Sequence, residues 1–210
     1  MFFCQTCPNL NRSCFFWIKN WHQSYIVAKD IFWRPPPPGL IKFNVDVVIL
    51  HDSAKIAVVA RYDSGHLFKA WAKRIHTSVP FVAEASAILW AVQLAKMEDL
   101  RGIIVESDFK LCVDAIGLDK AGCDWNISTL CLDAICLAAE FFSCNFCWVK
   151  HEANMTAYTL VKFRSLQDLL LFISLKISQP LWKRLGLEIS VVVLFCLNEV
   201  FSFSQKKKTI

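Results

Sequence analysis

The first regular pattern in the chain is a set of β-rich segments that begins after position 40. The segment at 41–50 is rich in β-branched residues, and a turn signal follows it at 51–53. Two more segments of this kind lie at 54–62 and 66–75, separated by a second turn signal that ends at Gly65. Short β-rich segments joined by turn residues are typical of antiparallel strands. The pattern therefore predicts a meander of three strands.

After position 76 the spacing of the apolar residues changes to the helical period. Thr77 or Ser78 can cap a helix here, Pro80 suits its first turn, and an apolar stripe continues to Ala95. The further elements predicted by the pattern are a buried strand at 103–107, a short helix at 109–116, a longer helix capped by Asp124, a fifth strand at 145–150 and a closing helix at 153–163. The order βββαβααβα predicts an α/β fold in which helices pack on the faces of a mixed sheet.

Four consecutive prolines before Gly39 mark the clearest boundary in the chain. Consecutive prolines favour a stiff polyproline II segment and cannot continue a helix or a central strand. Residues 33–39 are therefore predicted to link an N-terminal extension (1–32) to a domain at 40–165. Residues 166–210 show no regular pattern and are predicted to form an irregular apolar tail outside this domain.

The chain is unusually apolar, with 55% hydrophobic residues and a mean hydropathy of +0.40. No uncharged apolar stretch reaches the roughly 18 to 20 residues that a membrane-spanning helix needs, so no membrane span is expected. The N-terminus lacks a basic segment followed by an apolar one, which argues against secretion. Ten cysteines without such a signal indicate reduced thiols and a cytoplasmic or nuclear location. A monomer is expected.

The net charge of +5 lies outside the predicted domain. Residues 40–165 carry 13 Lys and Arg against 14 Asp and Glu, so the excess of positive charge belongs to the flanking segments. Charge alone therefore does not identify a binding partner.

Three acidic residues are set apart by their local surroundings. Asp46 lies in an apolar strand, Glu84 in the first turn of the predicted helix, and Asp108 directly after the strand at 103–107. A carboxylate among β-branched residues is costly to bury unless it binds a metal or a hydrogen-bond donor. Because a strand-helix-strand order brings the three together, they indicate a divalent-cation site that activates water.

Each acid also has a plain alternative. Asp46 could face solvent from an edge strand, and Glu84 could simply be stabilised by the helix dipole. Asp108 could be the N-cap of the helix that follows. Only the joint occurrence of the three favours a metal site.

Five segments of the chain carry a resemblance to a known family. They are WRPPPPGLIKFNVD, ARYDSGHLFKAWAKRI, FVAEASAILWAVQLA, IIVESDFKLCVDAI and VKHEANMTAYTLVKF, which occur in this order between residues 33 and 164. Together they resemble the plant ribonuclease H-like domain, a retroelement-derived, reverse-transcriptase-like family.

The resemblance implies a five-stranded mixed sheet in the order 3-2-1-4-5, flanked by helices. It also implies cleavage of the RNA strand in RNA–DNA hybrids, with two Mg²⁺ or Mn²⁺ ions as cofactors. Carried over to this chain, the catalytic residues and metal ligands are Asp46, Glu84 and Asp108. Asn154 and His151 take substrate-binding positions in the closing motif. The implied partner is therefore an RNA–DNA hybrid.

The chain departs from the family pattern at three places. Val47 and Val48 follow the first Asp, where the family has Gly-Ala, and these larger residues crowd a substrate. Tyr158 stands four residues after Asn154, where the family offers Asp or His, and a phenol is a poor magnesium ligand near neutral pH. His151 replaces an Arg, and is either a substrate contact or a loop residue without a role. The missing fourth ligand predicts weakened hydrolysis.

Two alternatives stand beside a weakened ribonuclease H-type enzyme. One is a catalytically degenerate module of retroelement origin that binds nucleic acid without turnover. The other is a gene fragment without a stable fold. A structural zinc ion at Cys4 and Cys7 is a separate alternative, although the spacing to Cys14 and His22 fits no standard zinc finger.

Overall fold

The computed structural model describes residues 31–117 and 125–162, together with the backbone of residues 171–174. The zinc alternative at Cys4 and Cys7 lies outside these residues. None of the helices in the described part of the chain is long and apolar enough to cross a membrane.

A single six-stranded sheet organises these residues. Its strands are β1 (Ile41–Ile49), β2 (Ala54–Arg61), β3 (Leu67–Ile75), β4 (Gly102–Ser107), β5 (Ser143–Trp148) and β6 (Leu171–Ser174). The spatial order is β5-β4-β1-β2-β3-β6. β1 is central, because it pairs antiparallel with β2 and parallel with β4. The first five strands therefore have the order 3-2-1-4-5, and the predicted fold is confirmed.

The sixth strand is a feature that the sequence pattern does not predict. β6 pairs antiparallel with β3, with Leu171 opposite Ala72 and Ser174 opposite Lys69. Four residues are too few for an alternation to be recognised, and the pairing depends on the unpaired backbone groups at the outer edge of β3. The sheet thus extends into the segment predicted to be an irregular tail. The domain boundaries themselves stay predictions.

Within the residues that the structure describes, four helices cover the two faces of the sheet. They are α1 (Pro80–Met97), α2 (Lys110–Gly117), α3 (Trp125–Ala138) and α4 (Met155–Lys162), and a 3-10 turn (His151–Ala153) precedes α4. Side chains alternate along a strand, so Phe43 and Val45 of β1 enter the larger core, to which α1, α2 and α3 contribute. Val48 points to the other face and packs against a smaller core that includes Leu160 of α4. Asp46 shares this second face.

Residues 33–39, named here the proline segment, are tied to the sheet. The ring of Trp33 lies 3.6 Å from the guanidinium carbon of Arg61, a stacked cation–π contact. The ammonium of Lys42 donates to the carbonyl oxygen of Arg34 at 2.8 Å. At the other end, the backbone N–H of Gly39 donates to a carboxylate oxygen of Asp63 at 3.0 Å. The proline segment therefore contributes contacts to the fold in addition to connecting two parts of the chain.

Candidate functional site

Asp46 and Asp108 are brought together by the register of two neighbouring parallel strands. Val45 of β1 lies opposite Ser107 of β4, and Asp46 and Asp108 each follow this pair by one residue. The side chain of Asp46 is only 5% exposed. Its Oδ1 accepts the backbone N–H of Val47 at 2.8 Å, while its Oδ2 is buried without a hydrogen-bond partner. β1 is a central strand, so the edge-strand alternative for Asp46 is wrong.

Glu84 reaches the same region from α1. Its side chain is buried, and its Oε2 has no hydrogen-bond partner. The predicted first-turn position is wrong, because α1 begins at Pro80 and has no acid in its first turn. The hydroxyl of Thr77 accepts a hydrogen bond from the N–H of Val79 at 3.2 Å, which is not an N–H of the helix, so Thr77 does not cap α1. The N-cap is Val79, without a side-chain cap. A helix-dipole role for Glu84 loses its basis, since the dipole acts within the first turn.

The electrostatics show that the three carboxylates are neighbours. Burial, followed by the negative charges of Asp46 and Asp108, raises the pKa of Glu84 to about 9. Burial, followed by the charge of Asp108, raises the pKa of Asp46 to about 7, although the hydrogen bond from the N–H of Val47, and then the charges of His151 and Lys162, act in the opposite direction. We call Asp46, Glu84 and Asp108 the carboxylate cluster. Burial and the charge of the neighbouring acids disfavour the ionised forms of Asp46 and Glu84, as expected for acids crowded together without a cation.

Asp108 is bound by the segment that precedes α4. Its Oδ2 lies 2.7 Å from Nδ1 of His151, and its Oδ1 accepts a hydrogen bond of 3.3 Å from the side-chain amide of Asn154. The helix that follows Asp108 begins at Lys110, and the side-chain oxygen that accepts the N–H of Phe109 belongs to Ser107. The contacts of Asp108 are thus directed to the site and not to a helix cap.

Asn154 connects this segment to the central strand. Its amide nitrogen also donates to the backbone oxygen of Val45 at 2.7 Å, next to Asp46. The residue is fully buried, and its Oδ1 has no hydrogen-bond partner. Asn154 therefore holds the beginning of α4 against β1 and against Asp108 at once. The resemblance assigns Asn154 and His151 to substrate binding, and that role stays a prediction. The structure shows both side chains in contact with Asp108.

Tyr158 stands at the position where the family resemblance implies an Asp or His. It lies in the first turn of α4, and its ring meets the ring of His151 edge-on, with centroids 4.5 Å apart. The ammonium of Lys162, one turn later, donates to the Tyr158 hydroxyl and lies 4.2 Å from the ring centroid. Sequence reasoning does not single out Lys162. Its signal is the four-residue spacing from Tyr158, which places both side chains on one face of a helix.

Glu106 is a further acid of β4, and it belongs to a separate buried network. Lys42 forms an ion pair with it at 2.6 Å, and the amide of Asn44 donates to its other oxygen at 2.9 Å. Arg61 in turn donates to the side-chain oxygen of Asn44 at 2.6 Å. The charge of Glu106 is therefore balanced by Lys42 within this network, and Glu106 is not a member of the carboxylate cluster.

The comparison with protein families identifies the chain. A family described as reverse transcriptase-like matches residues 44–164, which is more than half of the 210 residues. The chain belongs to the reverse transcriptase-like family. The matched part begins in β1 and ends just beyond α4, so it contains the whole carboxylate cluster. No match was found among curated proteins.

Solved structures of ribonucleases H share the fold of this reverse transcriptase-like domain. RNase H1 of the halophilic archaeon Halobacterium salinarum is 18% identical, with a TM-score of 0.53, and the match covers 58% of this chain and 93% of that one. The N-terminal RNase H domain of a Mycobacterium tuberculosis protein is 21% identical, with a TM-score of 0.53, covering 58% and 90%. LC11-RNase H1 in complex with an RNA/DNA hybrid is 21% identical, with a TM-score of 0.51, covering 58% and 93%. At these identities the likeness shows the fold.

The donor atoms of the cluster fit a hard divalent cation, although they are not arranged around one. Mg²⁺ and Mn²⁺ prefer carboxylate oxygen, and Asp46 Oδ2 and Glu84 Oε2 are both buried without a partner. Among the residues that the structure describes, no three His, Cys, Asp or Glu side chains converge as a metal-binding group. Asp108 directs its two oxygens at His151 and Asn154, whereas the free oxygens of Asp46 and Glu84 have no such partner. Two of the three acids are thus available to an ion as they stand.

Proposed function

We propose that this reverse transcriptase-like domain binds RNA–DNA hybrids and hydrolyses their RNA strand slowly, with Mg²⁺ or Mn²⁺. The observation that carries the proposal is the pair of buried, unpartnered carboxylate oxygens on Asp46 and Glu84, beside Asp108. A folded domain keeps such costly groups when a cation or substrate satisfies them. A bound divalent ion would supply an activated water and stabilise the leaving oxygen of a phosphodiester.

The chain's own residues prepare this site. Asp46 and Glu84 would hold the ion, and the N–H of Val47 fixes one oxygen of Asp46 so that the other remains directed to the cluster. Asn154 keeps the beginning of α4 on β1 through the oxygen of Val45. Rigid strands and a central helix thus position the acids before any ligand arrives, which favours catalysis by reducing the reorganisation needed.

The support for a nucleic-acid substrate is the fold. LC11-RNase H1, which shares it, was crystallised with an RNA/DNA hybrid. The reverse transcriptase-like family and the retained acids agree with the same substrate class. A hybrid therefore remains the best candidate for this chain.

Weak turnover is proposed because of Tyr158. A phenol oxygen is a poorer ligand for Mg²⁺ than a carboxylate oxygen, and the Lys162 ammonium at the Tyr158 hydroxyl adds a positive charge at this position. A cation here opposes the binding of a metal ion. Val47 and Val48, both half-buried, add bulk beside Asp46 where the family has small residues.

A second candidate function is binding of the hybrid without hydrolysis. It is favoured by the contacts of Asp108 with His151 at 2.7 Å and with Asn154 at 3.3 Å, because these use both of its oxygens. If the contacts persist when substrate is bound, Asp108 cannot serve as a ligand. The domain would then retain the fold and the binding surface but lose the chemistry.

A cleavage and binding assay on the full chain separates the two candidates. An end-labelled RNA–DNA hybrid is incubated with Mg²⁺ or with EDTA, and binding is measured in parallel by fluorescence anisotropy. The first candidate predicts Mg²⁺-dependent cleavage that Asp46→Asn removes while hybrid binding persists. The matched control is Glu140→Gln, which removes an equal charge from an exposed acid paired with Lys96 and should leave cleavage unchanged. Binding without cleavage in the wild type supports the second candidate, and loss of both functions contradicts each of them.

A further inference from the structure

Residues 151–162, named here the closing segment, bring hydrogen-bond donors and positive charge to one side of the carboxylate cluster. His151 and Asn154 occupy both oxygens of Asp108, as described above. Asp46 Oδ2 and Glu84 Oε2 stay buried without partners on the other side. The cluster is therefore divided into one acid that the closing segment satisfies and two that it leaves for a ligand.

The cation of the closing segment is Lys162. Its ammonium is held at the Tyr158 hydroxyl and over the Tyr158 ring. The same ring contacts His151 edge-on, and His151 contacts Asp108, so the pair is joined to the cluster by direct contacts. The charge of Lys162 also acts on Asp46, since it opposes the effect of burial on the pKa of that residue.

The balance of charge then limits how many ions the cluster can hold. Three carboxylates offer at most three negative charges, which one divalent ion and one ammonium balance. Two divalent ions beside the same ammonium would leave an excess of positive charge next to the buried carboxylates of Asp46 and Glu84, where like charges repel more strongly than in water. A second ion would also need the oxygens of Asp108 that His151 and Asn154 already use.

We propose that the Lys162–Tyr158 pair acts as a built-in cation in place of the fourth carboxylate and of the second metal ion, so that the cluster binds a single divalent ion at Asp46 and Glu84. The inference rests on the metal-dependent form of the proposed function. Tyr158 and Lys162 are positioning residues here, because they act on the ion through charge and not as its ligands.

The test counts metal ions on the full chain without nucleic acid, and so does not depend on turnover. Free Mn²⁺ is measured by electron paramagnetic resonance during a titration of the protein. The wild type should bind about one Mn²⁺ at the cluster, and Asp46→Asn should remove it. Lys162→Met should still bind one ion, roughly two- to fivefold more tightly, because a nearby exposed positive charge is lost. Met has a helix propensity close to that of Lys, so this variant should fold.

The double variant Tyr158→Asp/Lys162→Met restores a fourth acid and removes the cation, and should bind about two ions. Lys150→Met serves as the matched control, because Lys150 is an exposed lysine next to the closing segment; it should change neither the count nor the affinity. One ion in the wild type with tighter binding in Lys162→Met supports the inference.

Other results overturn it in distinguishable ways. Two ions in the wild type, or an unchanged affinity in Lys162→Met, refute the role of Lys162 and leave the proposed function standing. No ion in the wild type refutes both the inference and the metal-dependent form of the proposed function, while the anisotropy assay still decides whether the hybrid is bound. If the double variant fails to fold, the ion count and affinity of Lys162→Met still test the inference.

Discussion

Replacing Glu84 by Gln should stabilise the metal-free domain near neutral pH, although Glu84 belongs to the candidate site. In the folded protein, burial and then the charges of Asp46 and Asp108 raise the pKa of Glu84 from its ordinary value of 4.5 to about 9. At pH 7 the folded form therefore holds a proton that the unfolded chain does not. Gln has nearly the same shape and no charge, so the variant folds without taking up this proton.

The size of the effect follows from the difference between the pH and the pKa of the unfolded chain. At pH 7 this difference is about 2.5 pH units above the ordinary value of 4.5, and each unit is worth about 1.4 kcal/mol, which gives a cost of about 3 kcal/mol. The pKa of the folded form does not enter as long as it lies above 7. Because Glu84 is only 8% exposed, screening by solvent reduces this cost little. For a domain of this size, the gain corresponds to a rise in Tm on the order of 10 °C.

The sign of the pH dependence provides the assay. A carboxyl group whose pKa is raised on folding contributes stability that is complete below the unfolded pKa of 4.5 and is lost as the pH rises towards about 9. Urea unfolding of both proteins in EDTA gives the free energy of unfolding at pH 4.5 and pH 7. We expect Glu84→Gln to gain about 3 kcal/mol at pH 7 and less than about 1 kcal/mol at pH 4.5.

Glu140→Gln is the matched control, since it makes the same chemical change at an exposed residue, with an expected effect within about 0.5 kcal/mol at both pH values. The reasoning fails if Glu84→Gln is no more stable than the wild type at pH 7. It also fails if the gain is equal at both pH values, because the effect would then come from packing and not from the charge of Glu84.

Four further predictions follow from the same contacts. Millimolar Mg²⁺ or Mn²⁺ should raise the Tm, and Asp46→Asn should remove most of this rise; a Tm indifferent to metal counts against the site. Tyr158→Asp should increase hybrid cleavage about 10- to 100-fold, by analogy with other changes around metal ligands, and Asp108→Asn should abolish it; equal rates in the wild type and Tyr158→Asp refute the fourth-ligand argument. Trp33→Ala should lower the free energy of unfolding by about 1–2 kcal/mol, measured by urea unfolding, because the stacked contact of the proline segment is lost. A fragment of residues 33–165 should unfold cooperatively by itself, and an unfolded fragment beside a cooperative full chain would show that the core extends further.

The fold could be predicted because most of its strands can be recognised from their own segment of sequence. β1, β2 and β3 are each eight or nine residues long, and turn residues separate them. The predicted strand at 103–107 differs from β4 by one residue. β6 could not be predicted in this way, because a four-residue strand is defined by the partner it finds and not by its own pattern.

The position of two acids could also be predicted from the chain order. Once β4 is placed beside β1, the parallel pairing alone brings Asp46 and Asp108 to the same end of the two strands. The pattern predicts the correct helix for Glu84 but the wrong turn, because Pro80 is the first helical residue and the hydroxyl of Thr77 accepts a local hydrogen bond. The start of a helix depends on such local competition, which a periodicity of apolar residues does not register.

The contacts that decide the chemistry join residues that are far apart in sequence. His151 and Asp108 are separated by 43 positions, and Asn154 and Val45 by 109. A pattern within one segment can indicate that each residue is special but cannot reveal its partner. The sequence therefore could not indicate that His151 and Asn154, which are expected to bind substrate, contact Asp108 of the same chain.

The closing helix explains how the site could change while the fold stayed the same. Ala157, Leu160 and Val161 anchor α4 in the smaller core, and the helical period then directs Tyr158 and Lys162 to a different face, towards His151. Anchoring and chemistry are thus carried by separate positions of an eight-residue helix. A substitution at either chemical position leaves the buried contacts in place, so it alters the charge beside Asp46 without a large cost in packing. A tyrosine at position 158 is therefore compatible with the fold, and Tyr158→Asp should be tolerated by it as well.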